Sequence, residues 1–182
     1  QNSLLENGKQ ELLSEKDFVA KIIAGKEAKI DPNFMIIARV ESLIAGMGIK
    51  EALKRANAYE HAGADAILIH SKMNTSTEIF EFADEWKGNI PLIVIPTNYP
   101  SVTLDELVSH KIKMVIYANQ TLRTSYYAIS ELLKELSSSK SLMDIKQKMT
   151  SMDEIFQIQE MYKIKSDEEG IEEKLRELGY IT

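Results

Sequence analysis

Ala62-Gly-Ala-Asp-Ala-Ile-Leu-Ile-His-Ser-Lys72 decides the fold. Gly63 suits the left-handed residue that ends a helix, and Gly63-Ala-Asp65 reads as a helix-to-strand turn. Ala66-Ile-Leu-Ile69 is apolar without alternation, the pattern of a short strand buried on both faces of a parallel sheet. His70-Ser-Lys72 follows as a polar tip. The same unit of apolar run, polar tip and amphipathic helix recurs on either side. The other runs are Phe34-Met-Ile-Ile-Ala38, Leu92-Ile-Val-Ile95 and Met114-Val-Ile-Tyr-Ala118. Their tips are Arg39-Val-Glu41, Pro96-Thr-Asn98 and Asn119-Gln120. In parallel α/β folds ligands bind at the carboxyl ends of strands. An Arg and a His ending consecutive strands therefore point to an anion-handling site.

Helices fill the intervals. Ser14 is a candidate N-cap for a helix over 15–28, in which Phe18, Ile22 and Ile23 stand at i, i+4, i+5 apolar spacing. The next, 49–62, turns Ala52, Leu53, Ala56 and Tyr59 inward, and 76–87 does so with Ile79, Phe80, Phe82 and Trp86. Thr103 caps a short helix with Leu104 and Leu107 inside. A longer one, 121–137, lines up Leu122, Tyr126, Ile129, Leu132, Leu133 and Leu136. Ser137-Ser-Ser-Lys-Ser141 reads as a linker, followed by helices over 142–149, 151–163 and 167–178. Residues 1–137 are thus expected to form βα units, and 138–182 a helical extension.

Four βα units allow an open doubly wound sheet or part of a (β/α)₈ barrel. The first normally carries a glycine-rich phosphate loop after its first strand, and Gly46-Met-Gly48 lacks the third glycine. A TIM-type barrel needs about 250 residues, so this chain of 182 would supply its C-terminal half or more. The start at Gln1, without Met, reads as the interior of a loop with residues preceding it.

Composition narrows the function. With no cysteine there is no disulfide scaffold, thiolate nucleophile or Cys-based metal centre. A net charge of −6 argues against nucleic acid. No apolar run reaches the roughly 20 residues that span a bilayer, and the expected location is the cytoplasm. Arg39 can bind a carboxylate or phosphate through its guanidinium fork; its alternative is a structural ion pair with Glu41 or another carboxylate. His70 is a site candidate with Ser71 beside it, the alternative being a satisfied core histidine. Thr97 and Asn98 could donate at the same rim, while His61 and His110 read as surface residues. No His/Asp/Glu cluster has metal-ligand spacing.

Several segments together resemble the phosphoenolpyruvate mutase family of the isocitrate lyase/phosphoenolpyruvate mutase superfamily. They are Asn2-Ser-Leu, Ala38-Arg-Val-Glu41 with Ala45-Gly46, Glu51-Ala-Leu-Lys-Arg-Ala56 and Ala62 to Lys72. Ile95-Pro-Thr97, Met114-Val-Ile-Tyr-Ala-Asn119, and Ser151-Met-Asp-Glu-Ile-Phe156 with Gln159 complete the match. Residues 163–182 carry no family pattern.

The resemblance implies a TIM-type (β/α)₈ barrel whose terminal helix, here within 138–182, is exchanged between subunits of a homodimer or homotetramer. It implies an isomerase of phosphonate biosynthesis that interconverts phosphoenolpyruvate and phosphonopyruvate with Mg²⁺ on the pyruvyl oxygens. The family's phosphoryl contacts match Asn2, Arg39 and His70, with Ser71 a further substrate contact. Asn2 would lie in a gating loop that opens the chain. The family's metal ligands lie on earlier strands, so the N-terminal part of the same enzyme becomes an expected partner and this chain alone should hold no metal. The alternatives are a phosphonopyruvate hydrolase on the same scaffold, a superfamily lyase, which normally uses a loop cysteine absent here, and a non-catalytic α/β interaction domain.

Overall fold

The computed structural model describes residues 11–145 and 149–181. The chain forms two compact units, 1–121 and 122–182. The first is a four-stranded parallel sheet, with strands β1 (Ile37–Val40), β2 (Ala66–Ile69), β3 (Leu92–Val94) and β4 (Ile112–Val115) in chain order. Helices α1 (Glu15–Ala28), α2 (Gly48–His61), α3 (Thr77–Glu85) and α4 (Leu104–Ser109) precede or connect them.

The helix boundaries follow from capping chemistry. The Ser14 hydroxyl accepts from the Asp17 amide at 3.1 Å and starts α1. Thr103 and Glu106 exchange bonds in a capping box at the start of α4. α2 ends at Ala62, and Gly63 follows at φ +95°, the left-handed conformation that the sequence predicts there.

Alternation gives the sheet two different faces. Ala38, Val40, Ile67, Ile69, Leu92, Val94 and Ile112 point to the helices, where they pack with Ala52, Ala56, Tyr59, Ile79, Phe82 and Leu107. The opposite face buries a smaller group, Ala66, Leu68 and Ile93, against Ile95 and Ile116. One carboxylate fastens the first units together. Asp65 takes Lys26 Nζ of α1 at 2.7 Å and the Ile36 amide ahead of β1 at 2.8 Å, while its own amide donates to the Ile36 carbonyl at 2.8 Å. The Ile36 amide, and then Lys26, hold its carboxyl below the usual carboxylate range.

In the first unit two strand boundaries and one burial differ from the sequence reading. β1 begins at Ile37 and not at Phe34, because Asp31 folds 31–34 into a turn through the Asn33 and Phe34 amides. Arg39 therefore lies inside β1. β4 runs from Ile112 to Val115, two residues ahead of the expected apolar run. Leu104 is exposed, leaving Leu107 as the buried residue of α4.

The second unit is helical. α5 (Gln120–Ser138) precedes a 3₁₀ turn at Leu142–Asp144, where the sequence reading expects a helix over 142–149 but Ile145 is extended, then α6 (Met152–Ile158) and α7 (Met161–Glu177). The break falls at Glu160 with φ +55°, earlier than the sequence places it. The Asp153 carboxylate accepts from the Tyr162 hydroxyl across that break. Among the described residues no helix is long and apolar enough to cross a membrane.

Candidate active site

Register brings the two principal candidates together. Arg39 pairs with Leu68 across β1 and β2, so it shares the face opposite the helices. His70 follows two residues after Leu68 and continues on that face just past the end of β2. Arg39 and His70 thus stand beside each other at the carboxyl end of adjacent strands, the placement their spacing predicts.

Their environments differ. The Arg39 side chain is 38% exposed and its Nε donates to Glu41, which is 18% exposed. The structural ion pair and an anion-facing position therefore coexist. His70 is 3% exposed, and its Nδ1 has no hydrogen-bond partner among the described residues. Burial, followed by the nearby Arg39 charge, pushes its imidazole down to about 4. At neutral pH His70 is thus an uncharged group beside a permanent cation. Such a pair can stabilise a migrating anion through one charge and one neutral polar contact, without imidazolium acid catalysis.

Ser71 is fully buried, and its hydroxyl is engaged within the loop. It donates to Glu78 Oε2 at 2.6 Å and accepts from the Met73 amide at 3.0 Å. That arrangement makes it a strut for the turn that carries His70. Asn98 ties the next strand end to the same turn, its Nδ2 donating to the Ser71 carbonyl at 3.4 Å. Asn2 lies outside the described residues.

Three further rim groups stand out, of which the sequence reading singled out Thr97 alone. The hydroxyls of Ser42, Thr97 and Tyr99 are buried without hydrogen-bond partners among the described residues. They follow β1 and β3 at the same carboxyl edge as His70. The Pro96-Thr-Asn98 tip was the one legible signal; nothing local marks Tyr99, which packs into the helix-side core. The other histidines serve structure. His61 Nδ1 donates to the Asn57 carbonyl at 2.6 Å, and His110 stacks on Phe80 at 3.9 Å while donating to Asp84 at 2.7 Å. Among the described residues no group of three or more His, Cys, Asp and Glu could hold a metal ion.

A parallel sheet with helices packed on one face, and with Arg39 and a neutral His70 at adjacent carboxyl ends, is the arrangement of part of a (β/α) barrel. The chain belongs to the phosphoenolpyruvate phosphomutase family, whose pattern matches residues 2–137. It is 45% identical over 158 residues to a phosphoenolpyruvate phosphomutase of Tetrahymena pyriformis, covering 87% of this chain and 53% of that protein. A phosphoenolpyruvate phosphomutase crystal structure from Streptomyces platensis subsp. rosaceus superposes with a TM-score of 0.87 at 38% identity, covering 92% of this chain and 58% of the other. Phosphonopyruvate hydrolase in complex with oxalate and Mg²⁺ superposes at 0.81 with 37% identity, covering 89% and 58%. The chain spans about half the length of the curated relatives it matches.

Proposed function

We propose that this protein is an isomerase that interconverts phosphoenolpyruvate and 3-phosphonopyruvate, the entry step to phosphonate biosynthesis. The P–O bond to the enol oxygen breaks and a P–C bond to C3 forms, so the phosphoryl group migrates within one molecule. The observation that carries the reading is the pairing of Arg39 with neutral, buried His70 at adjacent strand ends in a chain of this family. Arg39 balances the charge on the migrating group and His70 contacts it without competing for a proton. Asn2 is the third contact in this reading, and Ser71 acts by supporting the His70 turn. Closure of a loop carrying Asn2 over the substrate would keep water from the phosphoryl group.

Magnesium is the cofactor of this reading, as in the hydrolase solved with oxalate and Mg²⁺. Among the described residues no cluster forms a site for it. Its ligands, in this reading, belong to the N-terminal part of the same enzyme. Residues 1–137 serve as the barrel portion and 138–182 as a helical extension exchanged within a cytoplasmic homodimer or homotetramer.

The nearest competing reading is phosphonopyruvate hydrolysis, favoured by the resemblance to that enzyme's structure. Phosphorus NMR of phosphonopyruvate incubated with the whole protein and Mg²⁺ separates the readings. Conversion to phosphoenolpyruvate supports the mutase. Release of inorganic phosphate and pyruvate replaces it with the hydrolase, and no conversion of any kind leaves a non-catalytic α/β interaction domain. In the active protein, Arg39→Ala is expected to lower kcat by about 10³-fold or more. Arg39→Lys should fail substantially as well, because a point charge lacks the fork; near-normal turnover by the Lys variant would refute that role.

A further inference from the structure

The amino ends of β3 and β4, at the opposite end of the sheet from Arg39 and His70, border a cleft of about 420 Å³. Its lining includes Trp86, Lys87, Asn89, Pro91, Lys111 and Lys113. Two backbone irregularities deliver the last two lysines. Lys111 adopts φ +61°, a left-handed conformation that residues with a Cβ rarely take. Lys113 is the extra residue of a bulge, since Leu92 pairs with Ile112 while Ile93 pairs with Met114. Bulges of this kind re-aim one side chain out of the regular alternation.

The facing wall is firmly held. Glu60 Oε1 accepts from the Asn89 amide at 2.6 Å and the Ile90 amide at 3.2 Å, and Trp86 Nε1 donates to the Ile90 carbonyl at 3.4 Å. Gly88 sits so close that an added Cβ would lie 2.1 Å from the Trp86 ring and 2.3 Å from Glu60 Oε2. The charge is poorly balanced. Among the described residues neither Lys111 nor Lys113 has an ion-pair partner. Lys87 donates to the Asp84 carbonyl, the Asp84 carboxylate is paired with His110, and Glu60 is engaged by two amides. Three lysines thus face this cleft, against the single carboxylate of Glu60 at its wall, in a protein of net charge −6.

We propose that this cleft is a second anion site, separate from the candidate active site, which binds a small phosphorylated polyanion between Lys87, Lys111 and Lys113 beside Trp86. Lysine amines are compact point charges on flexible stems, which can follow the several oxygens of a phosphate. Held walls on one side and flexible amines on the other suit a compact ligand of high charge.

Trp86 is the chain's one tryptophan, so its emission reports on the cleft alone. Pyrophosphate is titrated into the chain at constant ionic strength, with citrate and chloride in parallel. A saturable change with pyrophosphate is expected. Lys111→Gly, which removes the amine and suits the left-handed backbone, and Lys113→Ala should each raise the half-saturation concentration by about tenfold. Lys165→Ala, in α7, should leave it unchanged. An unsaturable response, the same half-saturation for citrate, or lysine variants that match the parent would overturn the proposal. Far-UV circular dichroism of the two variants guards against unfolding, and a folded variant with undiminished binding counts against it.

Discussion

His70 joins chemistry to stability through one proton. The unfolded chain binds that proton near 6.5 and the folded chain near 4. Between those values the unfolded state holds more protons, so acidification favours unfolding. The penalty is absent above 6.5, grows as pH falls through the window, and levels off below about 4 at as much as about 3 kcal/mol. Denaturant titrations from pH 7 to 4 should show this loss of stability, and His70→Asn should flatten it. A variant with the parent's pH profile would show that His70 is not the titrating group. Arg39 and His70 were legible because a charged and an ionisable residue interrupt apolar runs at strand ends. The roles of Ser71 and Arg55 were not. Ser71 depends on Glu78, seven residues on and across a loop. Arg55, beside its i,i+4 partner Glu51, is buried because the Leu13 carbonyl, 42 residues distant, also takes its guanidinium. Partners brought together by folding leave no local trace.

Among the elements, β2 emerged as read, because a flanking glycine turn and a polar tip bound the apolar run on both sides. β1 and β4 shifted where side chains compete for the backbone. Asp31 draws 31–34 into a turn ahead of β1, and the bulge at Lys113 starts β4 within a stretch that looks polar. The same logic explains the early break at Glu160, a left-handed residue that no glycine announces. Where a glycine does announce it, the consequence is measurable. Gly63 holds φ +95° between α2 and β2, and an added Cβ would meet only the Lys26 side chain, at 3.5 Å. Gly63→Ala should therefore lose about 1–2 kcal/mol through backbone strain alone, read as a lower midpoint in urea with unchanged slope. A variant as stable as the parent would mean that the turn relaxes to another conformation.

Across the whole molecule, the sheet unit carries nearly all of the buried apolar side chains, while α5, α6 and α7 contain none that is fully buried. Native-state hydrogen exchange should reflect this distribution. Amides of β2, flanked by β1 and β3 and buried at every position, should exchange last. Those of α6 and α7 should exchange orders of magnitude sooner, and equal protection in both units would contradict the division. The strand order has a consequence for synthesis as well. Because each strand lies beside the one made just before it, the emerging chain can extend a finished edge and never has to open a completed pair. Growth of this kind resembles crystallisation on an existing face, and Asp65, by clasping α1 to the first crossover, locks one added layer to the next.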